Sequence, residues 1–249
     1  MIIKDIEFFF KRLFFSEVFL LKKRLDRAIK KNYEKELKII NRFSDQNGEA
    51  IDVGVYRGVY SYQLSKFFKH VHSFEPNNLI FNFLSKNLKK IIDNLSLYNV
   101  ALSNENGSTI LKIPYRNNSI FRNNTEELFQ LGAASIHPTN NFKQFKTIKV
   151  KKKRLDDILI KKKISFIKID VEGHEIEVIK GSLGIIKKYH PTLLIEIEER
   201  HSGLKVKNSI NYINNLGYNS FYYNGQKLKP TASLKNFKKY NNYIFLSKD

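Results

Sequence analysis

Short apolar runs alternate with segments of helical periodicity along most of the chain. The runs that predict strands are residues 49–54, 70–76, 96–102, 165–173 and 190–199. Between them, apolar residues at helical spacing predict helices after the first run, after Pro76, over 174–189 and before Gly217. Buried parallel strands are apolar throughout, and strands that alternate with helices form a doubly wound, mostly parallel sheet. The pattern therefore predicts an α/β fold of this class.

Two regions depart from this alternation. Residues 114–147 are rich in asparagine and have no clean period, so we expect an insertion or lid over an acceptor site, including Gly132 to Ser135. His137 in this segment either reaches the site or is an exposed loop residue. The tail carries two strand-like runs, 218–224 and 241–248, with an Asn224–Gly225 turn after the first. These predict a hairpin-like pair that adds an antiparallel strand to the sheet.

The N-terminus predicts a basic amphipathic helix. Its apolar residues recur at near-helical spacing, and Lys and Arg cover the other face; the apolar stripe consists of Phe8, Phe9, Phe10, Leu13, Phe14, Val18, Leu21 and Leu25. Such a helix can cap its own domain, pack on a second subunit in a homo-oligomer, or lie on an anionic membrane surface. We expect a helical segment over 1–43 and one domain over 44–249.

Composition limits the class of protein. The 249 residues are 42% hydrophobic and 13% aromatic, which is enough for a large core and excludes global disorder. No cysteine is present, which excludes disulfides, thiolate nucleophiles and Cys-ligated zinc. No apolar run of about 20 residues predicts a membrane-spanning helix, and Lys11, Arg12 and Glu17 interrupt the run that a signal peptide would need. The expected location is the cytoplasm, and the alternative is a peripheral position at the inner surface of the membrane.

A candidate nucleotide site follows the first predicted strand. Asp52, Gly54 and Gly58 lie at a strand-to-helix turn, where glycines let a ligand approach the backbone closely. The spacing is neither that of the dinucleotide fingerprint nor that of a phosphate loop. Glu75 ends the second predicted strand, where an acid can accept both ribose hydroxyls. Because Asp52 would repel a phosphate but attract an ammonium, the combination favours S-adenosylmethionine (SAM).

Six motifs then resemble one known family. They are D-V-G-x-x-x-G-x-Y-S, S-F-E-P-N, N-V-A-L-S, R-L-D-D, F-I-K-I-D-V-E-G-H-E and P-T-L-L-I-E-I, which together span roughly residues 48–200. The chain in this region resembles the FkbM-type SAM-dependent methyltransferases. The resemblance implies a class I, Rossmann-like methyltransferase fold. It also implies methyl transfer, typically to a hydroxyl oxygen of a sugar, a polyketide or a related small molecule.

The resemblance also implies a set of donor-binding residues. The turn around the first motif would hold the methionine part, Glu75 the ribose, and the segment after the third strand the adenine. The complete candidate donor site is Asp52, Gly54, Tyr56, Gly58, Ser61, Glu75, Asn77, Ala101, Leu102, Ser103 and Asp170. One departure is the pair Val55–Tyr56, where the family commonly has Ala-Asn.

Candidate catalytic residues follow the 165–173 strand. Asp170, Glu172 and His174 lie where ligands of such sheets bind, and a carboxylate or imidazole there could remove the proton of an acceptor hydroxyl. Lys168 is expected to orient a carboxylate. The side chains nearby include types that ligate divalent cations, namely Asp170, Glu172, Glu196 and a histidine such as His201. No spacing rule supports a metal site, and none is expected.

Two other functions compete with methyl transfer to a small molecule or glycan. The net charge of +20 and the runs 151–154 and 161–163 fit a protein that binds or modifies RNA, although the charge is spread over the whole chain. No RNA-binding motif with ordered aromatic residues is present, so nucleic acid is not the expected partner. An NAD-dependent dehydrogenase is disfavoured by the glycine spacing.

Overall fold

A mixed eight-stranded sheet forms the centre of the structure, a computed structural model that describes residues 15–31, 33–114, 134–136 and 145–248. Its strands are β1 (Asp45–Val53), β2 (Phe68–Phe74), β3 (Leu95–Tyr98), β7 (Ile164–Ile169), β8 (Thr192–Glu196), β9 (Tyr218–Tyr223), β10 (Leu228–Pro230) and β11 (Asn242–Ser247). Their spatial order is β10-β9-β11-β8-β7-β1-β2-β3. The five strands from β8 to β3 are parallel, and β11, β9 and β10 extend the sheet with antiparallel pairs. The predicted class I methyltransferase architecture is confirmed.

Helices cover both faces of this sheet. One layer comprises α1 (Glu17–Lys30), a 3-10 helix (Lys35–Phe43), α2 (Val59–Leu64) and α3 (Asn78–Asn87). The opposite layer comprises α4 (Asp156–Leu159), α5 (Glu175–Lys180), α6 (Leu183–Tyr189) and α8 (Val206–Asn214), while the short α7 (Glu199–Ser202) follows β8. Alternate residues of the central strands point into the two layers: Ala50 packs with the first, and Ile51 with the second.

The described part of the N-terminal helix belongs to the first layer. Leu21, Leu25 and Ala28 of α1 are buried, and both leucines pack in the same apolar cluster as Leu64 and Leu84. This half of the helix therefore caps its own domain. Residues 8–14 of the predicted stripe lie outside the described residues. No helix in the described part of the chain is both long and apolar enough to cross a membrane.

A second, three-stranded sheet stands beside the first. Its strands are β4 (Ala101–Leu102), β5 (Gly107–Pro114) and β6 (Phe145–Lys153), in the order β4-β6-β5. Most of the predicted 114–147 lid, with Gly132, Ala133 and His137, lies outside the described residues. Ser135, which is described, bridges to Lys112 of β5.

Two predicted elements are divided in the structure, and the tail carries one strand more than predicted. Residues 96–102 form two strands in different sheets, because Asn99 turns the chain: its side-chain amide donates to the carbonyl oxygens of Glu75 (2.9 Å) and Pro76 (3.2 Å). Residues 174–189 form two helices, α5 and α6, separated at Gly181, where a Cβ would lie 1.9 Å from the carbonyl oxygen of Ser103. In the tail, the predicted antiparallel addition is confirmed, and a short further strand, β10, pairs with β9, while β11 lies between β8 and β9.

Candidate donor and acceptor cavity

A tight turn after β1 forms one wall of the site. Gly54 adopts a φ of 85°, and a Cβ there would lie 1.8 Å from the carbonyl oxygen of Asp170. Only glycine lets the ends of β1 and β7 approach this closely. The amide of Gly54 donates to the carbonyl oxygen of Phe74 (3.0 Å), which fastens the turn to the end of β2. Tyr56 follows in the left-handed region (φ 48°), and its amide donates to Oε2 of Glu75 (3.1 Å).

Glu75 is held by backbone donors from two directions. The amide of Asn77 donates to Oε1 (2.9 Å), while Tyr56 occupies Oε2. The side chain is buried, and burial raises the pKa of the carboxyl to about 7 against the opposing effect of these two hydrogen bonds. A carboxylate has about four lone-pair sites, so the ionised group retains acceptors for two ligand hydroxyls.

Glu75 and the turn open into a cavity of about 330 Å³ at the carboxyl ends of the parallel strands. Its apolar wall comes largely from the second sheet and its neighbours: Val100, Ala101, Leu102, Leu111, Ala134 and Ile136. Its charged wall consists of carboxylates: Glu34, Glu75, Asp170 and Glu172, with no Lys or Arg among the described lining residues. A cavity with these properties fits a ligand that has a flat apolar part, hydroxyl groups and a positive charge.

Three predicted donor-site residues support the turn from beneath and do not line the cavity. Asp52 is buried, and Ser61 Oγ donates to its Oδ2 at 2.5 Å. Burial raises the pKa of Asp52 to about 6. Gly58 begins α2 at a φ of 76°, and a Cβ there would lie 2.8 Å from Leu88. Any direct contact of these residues with a ligand stays a prediction.

Asn77 and Ser103 are also buried outside the lining. Asn77 caps α3, with Oδ1 accepting from the amide of Leu79 (3.0 Å), and its Nδ2 has no hydrogen-bond partner among the described residues. Ser103 Oγ lies 3.0 Å from Nε2 of His174. His174 therefore connects α5 to the end of β4, and neither residue is among those that line the cavity.

The corner after β7 brings two predicted catalytic carboxylates into the cavity wall. Asp170 Oδ2 lies 3.5 Å from the buried Nζ of Lys168. Burial alone would lower the pKa of Lys168, but Asp170 and the other carboxylates nearby raise it above its usual value. Lys168 thus stays charged and forms an ion pair with Asp170, in agreement with the expectation that it orients a carboxylate.

Glu172 has a partner that the sequence analysis did not pair with it. It adopts a φ of 55°, and its Oε2 lies 2.8 Å from Nε2 of His201, which follows β8. The hydrogen bond that His201 donates to Glu172 raises the pKa of His201. Ser135 Oγ donates to the carbonyl oxygen of Glu172 (2.7 Å), so the segment before β6 also contacts this corner.

The remaining acids do not complete a metal site in the described ranges. Burial, followed by the charge of Asp170, raises the pKa of Glu196 to about 9, and Glu196 is not among the lining residues. No group of three or more His, Cys, Asp or Glu side chains in the described part of the chain is arranged to hold a metal ion. Glu34 also lines the cavity, but its position before β1 carries no motif that would predict it.

Comparisons with known proteins agree with this geometry. The sequence matches the methyltransferase FkbM domain over residues 52–220, which is more than half of the chain. The structure is similar to a methyltransferase FkbM from Methylobacillus flagellatus (TM-score 0.51, 15% identity), covering 81% of this chain and 44% of that one. It is also similar to a Streptococcus mutans protein assigned as a methyltransferase and solved in complex with S-adenosylhomocysteine, SAH (TM-score 0.50, 12% identity). The similarity covers 86% of this chain and 96% of that one. No curated protein matches the sequence. At these identities the structural likenesses show the fold alone.

Proposed function

This chain belongs to the FkbM family of SAM-dependent methyltransferases, and from that premise we propose that it methylates a hydroxyl oxygen of a sugar, a glycan or another small molecule. The observation that carries the proposal is the cavity at the ends of β1, β2 and β7, with Glu75 fixed in its wall by two backbone amides. In open α/β sheets this is the edge at which nucleotide-like ligands bind.

The wall supports one orientation of the donor. Glu75 would accept the ribose hydroxyls, and the apolar surface of Ala101 and Leu102 would face the adenine. The methionine part would then extend past Gly54 toward Asp170, since both lie on the β1–β7 side of the cavity. The sulfonium methyl would lie near the corner after β7, where an acceptor can enter.

Bound SAM supplies an electrophilic methyl group whose carbon–sulfur bond breaks as the acceptor oxygen attacks, which leaves S-adenosylhomocysteine (SAH). The protein's part is to orient the acceptor and to take the hydroxyl proton. Glu172 is the best-placed base among the three candidates, because it lines the cavity and is backed by His201. Asp170 is engaged by Lys168, and His174 is hydrogen-bonded to Ser103 outside the lining.

The decisive experiment is a methyl-transfer assay with SAM and a panel of sugars, glycans and hydroxylated small molecules. Glu172→Gln should lower turnover by roughly 10²- to 10⁴-fold, the contribution of a general base, while leaving SAH affinity unchanged. Glu177→Gln is the matched control, because Glu177 lies on α5 nearby and pairs with Lys180 without lining the cavity. Full turnover in Glu172→Gln, with loss in Asp170→Asn or His174→Gln, would reassign the base.

One observation favours RNA as a second class of acceptor. Lys149, Lys151 and Lys153 lie at alternate positions of β6, are exposed, and form no ion pair in the described part of the chain. Such a row could follow a phosphate backbone. Transfer of labelled methyl to total RNA, abolished by replacing all three lysines with Gln, would support this alternative. Labelling of small acceptors alone would exclude it.

A further inference from the structure

Glu34 enters the cavity wall from outside the motif-bearing part of the chain. It lies between α1 and the 3-10 helix, before the first strand of the sheet, and it lines the cavity together with residues of β1, β2 and β7. Tyr60 of α2, itself buried, donates its hydroxyl to Oε2 of Glu34 at 2.6 Å. The N-terminal segment therefore supplies a positioned carboxylate to the site.

The contacts of Tyr60 identify the end of the cavity at which Glu34 lies. The Nζ of Lys168 is 5.0 Å from the centroid of the Tyr60 ring, and the same Nζ is 3.5 Å from Asp170. Glu34 is thus linked to the β7 end of the cavity, whereas Glu75 follows β2 and Ala101 belongs to the second sheet. A donor with its ribose on Glu75 and its adenine against Ala101 directs its methionine end toward Glu34.

The chemistry of that end matches the chemistry of Glu34. The methionine part carries an α-ammonium, which has a positive charge and several N–H donors. Tyr60 occupies Oε2, while Oε1 of Glu34 makes no hydrogen bond to the described residues. The buried ammonium of Lys168 attracts the charge of Glu34, but its ion pair is with Asp170, and no described Lys or Arg lines the cavity to pair with Glu34 directly. Glu34 is therefore the carboxylate best suited to an ammonium ligand.

We propose that Glu34 is a donor-binding residue whose carboxylate accepts hydrogen bonds from the α-ammonium of SAM. The inference rests on the donor orientation proposed above, and it makes the segment before β1 a part of the active site. A purely structural role, in which Glu34 only receives the Tyr60 hydroxyl, is the alternative to be excluded.

Two ligands separate these roles by calorimetry on the full chain. SAH has the amino-acid part, whereas 5′-methylthioadenosine has the same nucleoside without an ammonium. Glu34→Gln keeps an acceptor for Tyr60 and removes the charge. It should raise the Kd of SAH by roughly 10- to 100-fold, the range for losing a hydrogen bond to a charged group, and leave the Kd of methylthioadenosine unchanged.

Glu75→Gln is the matched control, because a ribose contact is common to both ligands and both Kd values should rise. If Glu34→Gln binds SAH as wild type does, or loses both ligands equally, the inference is wrong and Glu34 is structural. If the wild-type protein binds neither ligand, the donor placement itself fails. The two failures are therefore distinguishable.

Discussion

The affinity for the donor should depend on pH through Glu75. Burial raises the pKa of this carboxyl to about 7, so lowering the pH from 8 to 6 converts it from mostly ionised to mostly protonated. The ionised group accepts from Tyr56 and Asn77 and retains lone pairs for two ribose hydroxyls. The protonated group loses acceptor capacity and places its own O–H among donors. The expected effect is weaker binding at low pH.

The magnitude follows from the titration of one group. With a pKa of about 7, roughly 90% of Glu75 is ionised at pH 8 and roughly 10% at pH 6. If only the ionised form binds the ribose, the Kd of SAH rises by about tenfold over this range, which corresponds to about 1.4 kcal/mol. Asp52 titrates lower, with a pKa of about 6, and does not line the cavity.

Calorimetric titration of SAH at pH 6, 7 and 8 measures this effect directly. Glu75→Gln should bind weakly and with little dependence on pH. Glu175→Gln is the matched control: Glu175 is also buried, burial raises the pKa of its carboxyl to about 7, and it does not line the cavity. This variant should retain the wild-type pH dependence.

Two results would refute the reasoning. A wild-type Kd that stays constant from pH 6 to pH 8 would mean that Glu75 does not need its charge to bind the donor. A pH dependence that persists unchanged in Glu75→Gln would mean that another group titrates on binding.

Three further predictions concern stability and association. Burial raises the pKa of Glu175 from 4.5 to about 7, so the folded state holds this proton more tightly than the unfolded state does. The free energy of unfolding should therefore fall as the pH rises from 4.5 to 7. Glu175→Gln should remove about 3 kcal/mol of that decline in urea denaturation, and an unchanged slope would contradict it. Gly54→Ala should cost more than about 3 kcal/mol and abolish SAH binding, since its Cβ would meet the Asp170 carbonyl at 1.8 Å; a wild-type melting temperature would disprove this. Phe15, just before α1, and Phe19, on α1, are 44% and 39% exposed, so replacing both with Ser should lower the mass in light scattering or the fraction bound to anionic vesicles. If neither quantity changes, α1 acts only as an intramolecular cap.

The sequence by itself determined the architecture and the donor class. Buried parallel strands must be apolar throughout, and a glycine is needed where Gly54 meets the Asp170 carbonyl, so both leave a local signal. Glu75 at the end of the second strand follows the same logic, because strand ends in such a sheet converge on one edge. These features depend on near neighbours in the chain, and the motifs around them identified the family.

Only the tertiary structure decided which side chains share the cavity. Glu34 reaches it from before β1, and His201 reaches Glu172 from after β8, at separations along the chain that no motif encodes. The division of 96–102 between two sheets depends on Asn99 binding carbonyl groups at the end of β2, which no local pattern reveals. The burial of Asp52 below the turn, with Ser61 donating to its carboxylate, also follows from the tertiary structure, whereas its predicted contact with the donor stays a prediction. In each case the outcome depends on a contact between distant segments, and such contacts exist only once the sheet has assembled.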